Sequence, residues 1–229
     1  MTQPKKSKSG YYQHQQELGG LVGKTSWYAR KKMFESLMQI ACPTVETTVL
    51  DVGVTCDRRE DSNFFEKLYP YPHNITAVGM EDAAFLEQDH PGLKFVKADG
   101  LRLPFPDKSF DLVVSFAVIE HVGSRTRQRA FVHELCRVGR TFCLTTPNRW
   151  YPIEFHTVLP LVHWLPPSWF RAILKLIGKD FYAKEENLNL LSEKDILRLF
   201  PANAQVYTRH FRLLGLRSNL LFYAKVGNG

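Results

Sequence analysis

The chain has 229 residues, 44% of them hydrophobic and 23% charged, enough apolar material for a single domain with a sizeable core. No run of about 20 apolar residues occurs and the first residues are polar and basic, which argues against a spanning helix or a secretory leader and makes the cytoplasm the expected location. The net charge of +7 is uneven: Lys5, Lys6, Lys8, Lys24, Arg30, Lys31 and Lys32 stand against Glu17 alone in the first 32 residues, and the rest of the chain is nearly neutral. A basic arm could meet RNA, an anionic membrane or a phosphorylated substrate, or be a solvated leader; the balanced body makes nucleic acid an unexpected partner.

Residues 1–10, rich in Lys, Ser and Gly, read as a disordered basic tail, and residues 11–45 as a helical lid. Within the lid, Trp27, Met33, Phe34, Leu37 and Ile40 recur at helical spacing and predict an amphipathic helix over Trp27–Ile40, ending before Pro43. Thr47–Val54 reads as a buried strand, Ser62–Leu68 as a short helix and Asn74–Met80 as a second strand, the spacing of a βαβ unit. Leu93–Ala98 and Phe110–Phe116 follow as strands, Arg125–Cys136 as a helix and Thr141–Thr145 as a fifth strand before Pro147. The unbroken apolar run from Leu112 to Val118 suits a strand covered on both faces, as in a parallel sheet, so residues 46–148 are expected to form an α/β core.

Residues 149–204 read as an aromatic and proline-rich insertion over the sheet edge, followed by a helix. From Trp150 to Gly178 the prolines at 152, 160, 166 and 167 exclude a long regular helix. Ser192-Glu-Lys-Asp195 matches a capping box leading into Ile196–Phe200. Gln205–Leu214 and Asn219–Val226, joined by a turn at Gly215, complete the same domain (205–229) as an antiparallel hairpin. Cys42, Cys56, Cys136 and Cys143 form no CxxC pair and have no histidine at ligand spacing, so they read as free, mostly buried thiols, and no metal is expected.

Chemistry concentrates after successive strands. Asp51 and Gly53 end the first, where an open α/β sheet binds ligands and a glycine admits close approach to the backbone. Glu81, after the second, could accept hydrogen bonds from a ribose diol, and Asp99 could accept from an adenine amino group beside the backbone of Gly100. Taken singly, each is equally an ordinary strand-end turn. Gly19 to Thr25 is reminiscent of a phosphate-binding loop, but only three residues separate Gly19 from Gly23 and no strand precedes it; the dinucleotide fingerprint is also absent.

Taken together, Val49-Leu-Asp-Val-Gly53, Lys97-Ala-Asp-Gly-Leu-Arg-Leu-Pro-Phe-Pro-Asp-Lys-Ser-Phe-Asp-Leu-Val113 and Ala117-Val-Ile-Glu-His-Val122 resemble a class I S-adenosylmethionine-dependent methyltransferase of the type 11 group, over roughly residues 46–148. The resemblance implies a Rossmann-like, mostly parallel seven-stranded sheet with an antiparallel terminal strand and helices on both faces. It implies S-adenosylmethionine as cofactor, with Asp51, Gly53 and Val54 along its amino-acid part, Glu81 at the ribose, Asp99 and Gly100 beside the adenine, and Phe116, Ala117 and Val118 on the methionine side. Two departures stand out. Thr55 and Asp57 replace the second and third glycines of the turn after strand one, and Gly79 stands where the ribose-binding acid is usual, leaving that part to Glu81.

Methyl transfer from a sulfonium is an in-line displacement in which alignment and desolvation do most of the work. Where the acceptor is a hydroxyl, a base helps, and His156 is the first candidate, His121 the second, with His163 nearby; Arg149 could bind an anionic group on the acceptor. Lys24 or Arg30 could reach the cofactor carboxylate from the lid. The apolar segment Phe155–Ile177 fits ordinary core packing, a cover over a small-molecule or lipid-linked acceptor, or a weak contact with a membrane surface. The expected activity is methyl transfer to such an acceptor; the alternatives are a non-catalytic binding protein with the same fold and an RNA methyltransferase.

Overall fold

The computed structural model describes residues 20–59 and 61–227, with side chains from residue 26. The basic tail, the glycine-rich stretch preceding residue 20 and the Lys24 side chain lie outside them. Strands β1 (Val49–Val52), β2 (Ile75–Gly79), β3 (Lys94–Lys97), β4 (Phe110–Phe116) and β5 (Gly139–Pro147) pair in parallel, and β6 (Ala204–Leu213) and β7 (Leu216–Val226) close the sheet. The order is β3-β2-β1-β4-β5-β7-β6, with β7 antiparallel to both neighbours. This is the seven-stranded Rossmann-like sheet with inverted terminal strand expected above.

Side chains alternate across the sheet with a period of two. Leu50, Val52, Val113, Phe142, Leu144, Leu220 and Phe222 pack on one face against α4 (Arg125–Val138) and α7 (Glu193–Leu197). Val49, Leu112, Val114, Cys143 and Leu221 pack on the other, against α1 (Gly20–Ala41), α2 (Phe64–Leu68) and α3 (Phe85–Asp89). Both faces are covered, which is why the strands read as continuous apolar runs. Ser192 caps α7 as expected: its hydroxyl accepts the Asp195 N–H and the Asp195 carboxylate accepts the Ser192 N–H. Leu214 and Gly215 both adopt positive φ (52° and 79°), the two-residue geometry that matches strand twist in a hairpin.

Three boundaries differ from the sequence reading for identifiable reasons. Strand β1 ends at Val52 because Gly53 turns to φ +121°. Strand β5 runs on to Pro147 because Thr146 and Pro147 keep pairing with Leu220 and Asn219 of β7. The insertion contains a ten-residue helix, α5 (Pro167–Leu176), because Pro166 and Pro167 sit at its start, where a missing N–H costs nothing. With α6 (Asp180–Ala183) it makes its own small core from Phe170, Leu174, Tyr182, Ala183, Leu188 and Leu190. All four cysteines are free; Cys136 and Cys143 are buried, Cys56 half-buried and Cys42 exposed, so half of them fit the expected burial.

The seam between β1 and α2 holds two buried acids, Asp51 and Glu66. Burial raises both carboxyls, and Glu66 raises Asp51 further. With both ionised, neither Glu66 oxygen would have a hydrogen-bond donor; a proton on Asp51 supplies one. Because the folded value of Asp51 lies above the unfolded one, its contribution to stability is complete below about pH 4 and is lost as pH rises through the folded value. Glu66→Gln is expected to flatten that loss. In melts across pH 5–8 the variant should exceed the parent by about 2–4 °C at pH 8, an effect of about 1 kcal/mol for a domain of this size; parallel curves would show that the pair holds no proton.

Candidate active site

The sheet reverses its winding between β1 and β4, and the carboxyl ends of strands at such a switch point form a crevice. There a cleft of about 160 Å³ is walled by backbone at Gly53, Gly79 and Gly100 and by the side chains of Asp99, Val118 and His121. No side chain fits at Gly53: a Cβ would lie 2.2 Å from Val118 Cγ2, and the φ of +121° excludes other residues sterically. A Cβ at Gly79 would lie 2.5 Å from the Val54 carbonyl oxygen, which explains why no acid can stand there.

The turn after β1 is held by side chains rather than by the flexibility of glycines. Asn63, itself in the left-handed region, accepts the Thr55 N–H through Oδ1 (2.9 Å) and donates through Nδ2 to the carbonyls of Thr55 (2.9 Å) and Asp57 (3.3 Å). Asp57 accepts from the Arg59 N–H, the Arg59 guanidinium and the Ser62 hydroxyl. The N–H groups of Gly53 and Val54 both donate to the Val78 carbonyl. Thr55 and Asp57, the residues in place of glycines, are thus parts of the clamp.

Of the residues singled out for the cofactor, Gly53, Asp99, Gly100 and Val118 line the cleft. Asp99 Oδ1 accepts the Leu101 N–H at 2.9 Å. Asp51 lies behind this wall against Glu66, and Val54 packs with the α1–α3 side of the core. Glu81 accepts the Cys56 thiol at 2.8 Å; burial, then this carboxylate, push the thiol up to about 11. Phe116 faces α2, edge-on to Phe64 and stacked on Phe65, and Ala117 carries the chain round at φ +55° to Val118. Arg30 is engaged with Asp61 and lies over the Phe64 ring.

Beside the cleft lies a buried polar cluster that brings both candidate bases together. His121 Nδ1 is 2.7 Å from the Asn187 carbonyl oxygen, which makes Nδ1 the protonated nitrogen. Its Nε2 is 4.0 Å from Glu120 Oε1. The other Glu120 oxygen accepts the Thr146 hydroxyl at 3.0 Å, and burial lifts this fully enclosed carboxyl to about 7. The His156 ring meets His121 edge to face at 4.8 Å, and its Nδ1 is 2.7 Å from Glu154 Oε1. Glu154 also accepts the N–H groups of His156 and Thr157. Burial works against every charge here: it pushes His121 down to about 3, while His156 holds Glu154 at about 2 and Glu154 raises His156 despite its enclosure.

His163 donates through Nε2 to the Tyr151 carbonyl (2.8 Å) and serves the insertion's packing. Arg149 donates to the Leu165 carbonyl and lies over the Trp150 ring, which ties the insertion together, and it lines a small second cavity with Arg171. Sequence reasoning missed Asn63, Glu66, Glu154 and Asn187. Glu154 had a signal, an acid two positions before a histidine in an apolar stretch; Asn187 had none.

Residues 62–141 match the family model described as a methyltransferase domain. A Mycobacterium tuberculosis protein named as a probable S-adenosylmethionine-dependent methyltransferase is 39% identical over 80 residues, 33% of this chain and 28% of the relative. A similarly named Mycolicibacterium smegmatis protein is 27% identical over 135 residues, 57% of this chain and 49% of that one. The matched part of the chain thus spans from under a third to about half of these relatives. Among solved structures, magnesium protoporphyrin IX methyltransferase of Synechocystis with bound S-adenosylhomocysteine superposes with a TM-score of 0.61 at 13% identity, over 92% of this chain and 89% of that one, a likeness of fold. Over residues 62–141 the chain is thus similar to methyltransferase domains, and its sheet has the fold of the solved methyltransferase.

Proposed function

We propose that this chain transfers a methyl group from S-adenosylmethionine to a small-molecule or lipid-linked acceptor. The observation that carries the proposal is the backbone-walled cleft at the β1/β4 switch point, where Gly53, Gly79 and Gly100 leave room for a ligand to touch the main chain. The residues fit the cofactor: Asp99, exposed at the rim, offers a carboxylate oxygen to an adenine amino group, Gly100 its backbone, and Glu81 a carboxylate next to Met80. At about 160 Å³ the cleft is smaller than sites for ligands of this size, commonly about 300–1,000 Å³, so Val118 and the exposed Met80 side chain must swing aside.

When bound, the cofactor supplies a methyl group already activated as a sulfonium. The chain's part is to orient and to exclude water. Val118 and Phe131 give the cleft an apolar wall, and His121 and His156 are the groups beside it able to take up an acceptor proton. The insertion supports this acceptor class. Trp150, Leu161, Trp164, Trp169, Leu176 and Ile177 are exposed on it, with Lys175 and Lys179 on or beside the same helix, a surface that suits an apolar acceptor and a peripheral membrane contact. Among the described residues no helix is long and apolar enough to cross a membrane.

A second reading, a binding protein without catalysis, is favoured by the closed turn, whose Gly53 and Val54 N–H groups are spent on Val78. Incubation with labelled methyl donor and fractionated extract is expected to place label in lipid or small-molecule pools. Label in RNA instead would select the RNA alternative. By calorimetry S-adenosylhomocysteine should bind, and Asp99→Ala should weaken it about tenfold, or about 1.4 kcal/mol; no binding together with no label would select the second reading.

A further inference from the structure

We propose that Arg149 and Arg171 form a binding site for the phosphate group of an amphiphilic phosphate ester, with the apolar part of that ligand lying on the aromatic surface of the insertion. The two arginines line a small cavity apart from the cofactor cleft, together with His163, the first turn of α5 and residues 188–190. The sequence points to Arg149 as a partner for an anionic group; Arg171 and the cavity arise only from tertiary contact.

Charge in this region is unevenly answered. Arg125 pairs with Asp195 at 3.3 Å and Arg171 with Glu185 at 3.5 Å, whereas among the described residues no carboxylate lies within ion-pair distance of Arg149. Its Nη2 donates to the Leu165 carbonyl at 3.2 Å, but its Nε–H is enclosed and has no acceptor. A buried cationic donor left bare is costly, and an anionic oxygen is the partner it lacks. Burial lowers the pKa of Arg125, Asp195 raises it and Arg149 lowers it again, so an anion at Arg149 relieves a like-charge repulsion. The first turn of α5 supplies Pro167, Phe170 and Arg171 to the wall, which brings the positive end of a ten-residue helix to the same place. The Arg171–Glu185 pair is long and open to solvent on its acidic side, so a phosphate competes with it at little cost.

Size and surroundings fix the kind of ligand. At about 20 Å³ the cavity holds a group the size of one water, so a phosphate enters with one oxygen and its substituent stays outside. There the Trp150 ring lies against the Arg149 guanidinium and 6.3 Å from the Trp164 ring; both tryptophans are exposed, as is Trp169 on α5. Large apolar rings open to solvent beside a cationic cavity suit a molecule with one anionic and one apolar end. A carboxylate is satisfied by a single guanidinium fork, whereas a tetrahedral phosphate has a further oxygen for a second guanidinium on another element. The stretch that walls the cavity also reaches the cofactor cleft: the Asn189 N–H donates to the Glu120 carbonyl, and the next residue, His121, is on the cleft wall. That this phosphate ester is the methyl acceptor rests on the methyltransferase reading.

The test titrates the full chain with octyl phosphate, octanoate and inorganic phosphate by calorimetry. Octyl phosphate is expected to bind with a stoichiometry of one, and the other two about tenfold more weakly or less. Arg149→Gln and Arg171→Gln should each weaken octyl phosphate by about tenfold or more, the scale for losing a hydrogen bond to a charged group. Trp164→Ala should weaken octyl phosphate and leave inorganic phosphate unchanged, and Lys94→Gln, exposed on β3, should bind as the parent does. Circular dichroism establishes that each variant is folded, and Arg171→Gln carries the test should Arg149→Gln unfold. No binding of octyl phosphate by the parent, octanoate bound as tightly, parent-like affinity in folded Arg171→Gln, or an equal loss in Lys94→Gln would overturn the site. Sedimentation with phosphatidylcholine vesicles, with and without phosphatidic acid, identifies the source: binding to the acidic vesicles that Arg171→Gln abolishes assigns the phosphate to a membrane lipid, and octyl phosphate bound without it assigns a free phosphate ester. Calorimetry with S-adenosylhomocysteine separates the two claims: octyl phosphate bound without it overturns the methyltransferase reading alone, and the reverse overturns the phosphate site alone.

Discussion

A seam of buried amides joins the turn after β4 to the strand-like segment before α7, and the site exists because of it. Gln128, fully buried on α4, donates through Nε2 to the carbonyls of Ile119 (3.0 Å) and Asn189 (2.9 Å), while the Asn189 N–H donates to the Glu120 carbonyl at 2.7 Å. Asn189 Nδ2 reaches the Gly123 carbonyl and Arg125 the Leu190 carbonyl. Removing one partner from such a seam leaves a buried polar group unpaired, a loss of about 1–3 kcal/mol. The covering segment is thereby fixed to the sheet, and His121 is fixed to Asn187 with its Nε2 4.0 Å from Glu120 Oε1.

From this seam the cleft acquires two unlike halves. The cofactor half is made of backbone and apolar side chains, with glycines where strands β1, β2 and β3 end. The other half is a buried cluster of two carboxylates and two imidazoles, with Glu154 paired to His156 and one Glu120 oxygen accepting from Thr146. Polar groups in so enclosed a place act strongly on whatever enters, since little water screens them. The insertion's aromatic surface is anchored by its own small core and by Arg149.

The sheet was legible because burial on both faces writes itself as apolar runs: Phe110–Phe116 is bounded as the run suggests, and Ser192 announces α7 by its cap. The cofactor end was legible in part, since Gly53 and Asp99 follow strands and strand ends at a switch point form the crevice. What could not be read were partners brought together by tertiary contact. Nothing local to His121 points to Asn187, and nothing in Phe64-Phe65-Glu66 names Asp51 as the acid it faces, although an acid beside two buried aromatics is a sign of burial. The replaced glycines after β1 look like a defect until Asn63 is seen clamping the turn. His121 and His156 were weighed as rivals for one role, whereas they meet as a pair.

The central claim is that the cleft between the ends of β1 and β4 receives the adenosyl cofactor. A crystal structure of the chain with S-adenosylhomocysteine tests it most directly. The adenine is expected beside Asp99 and Gly100, the amino-acid part over Gly53, and Val118 displaced from its present contact there. Ligand bound elsewhere, or a cleft still closed by Val118 at saturating S-adenosylhomocysteine, would contradict it.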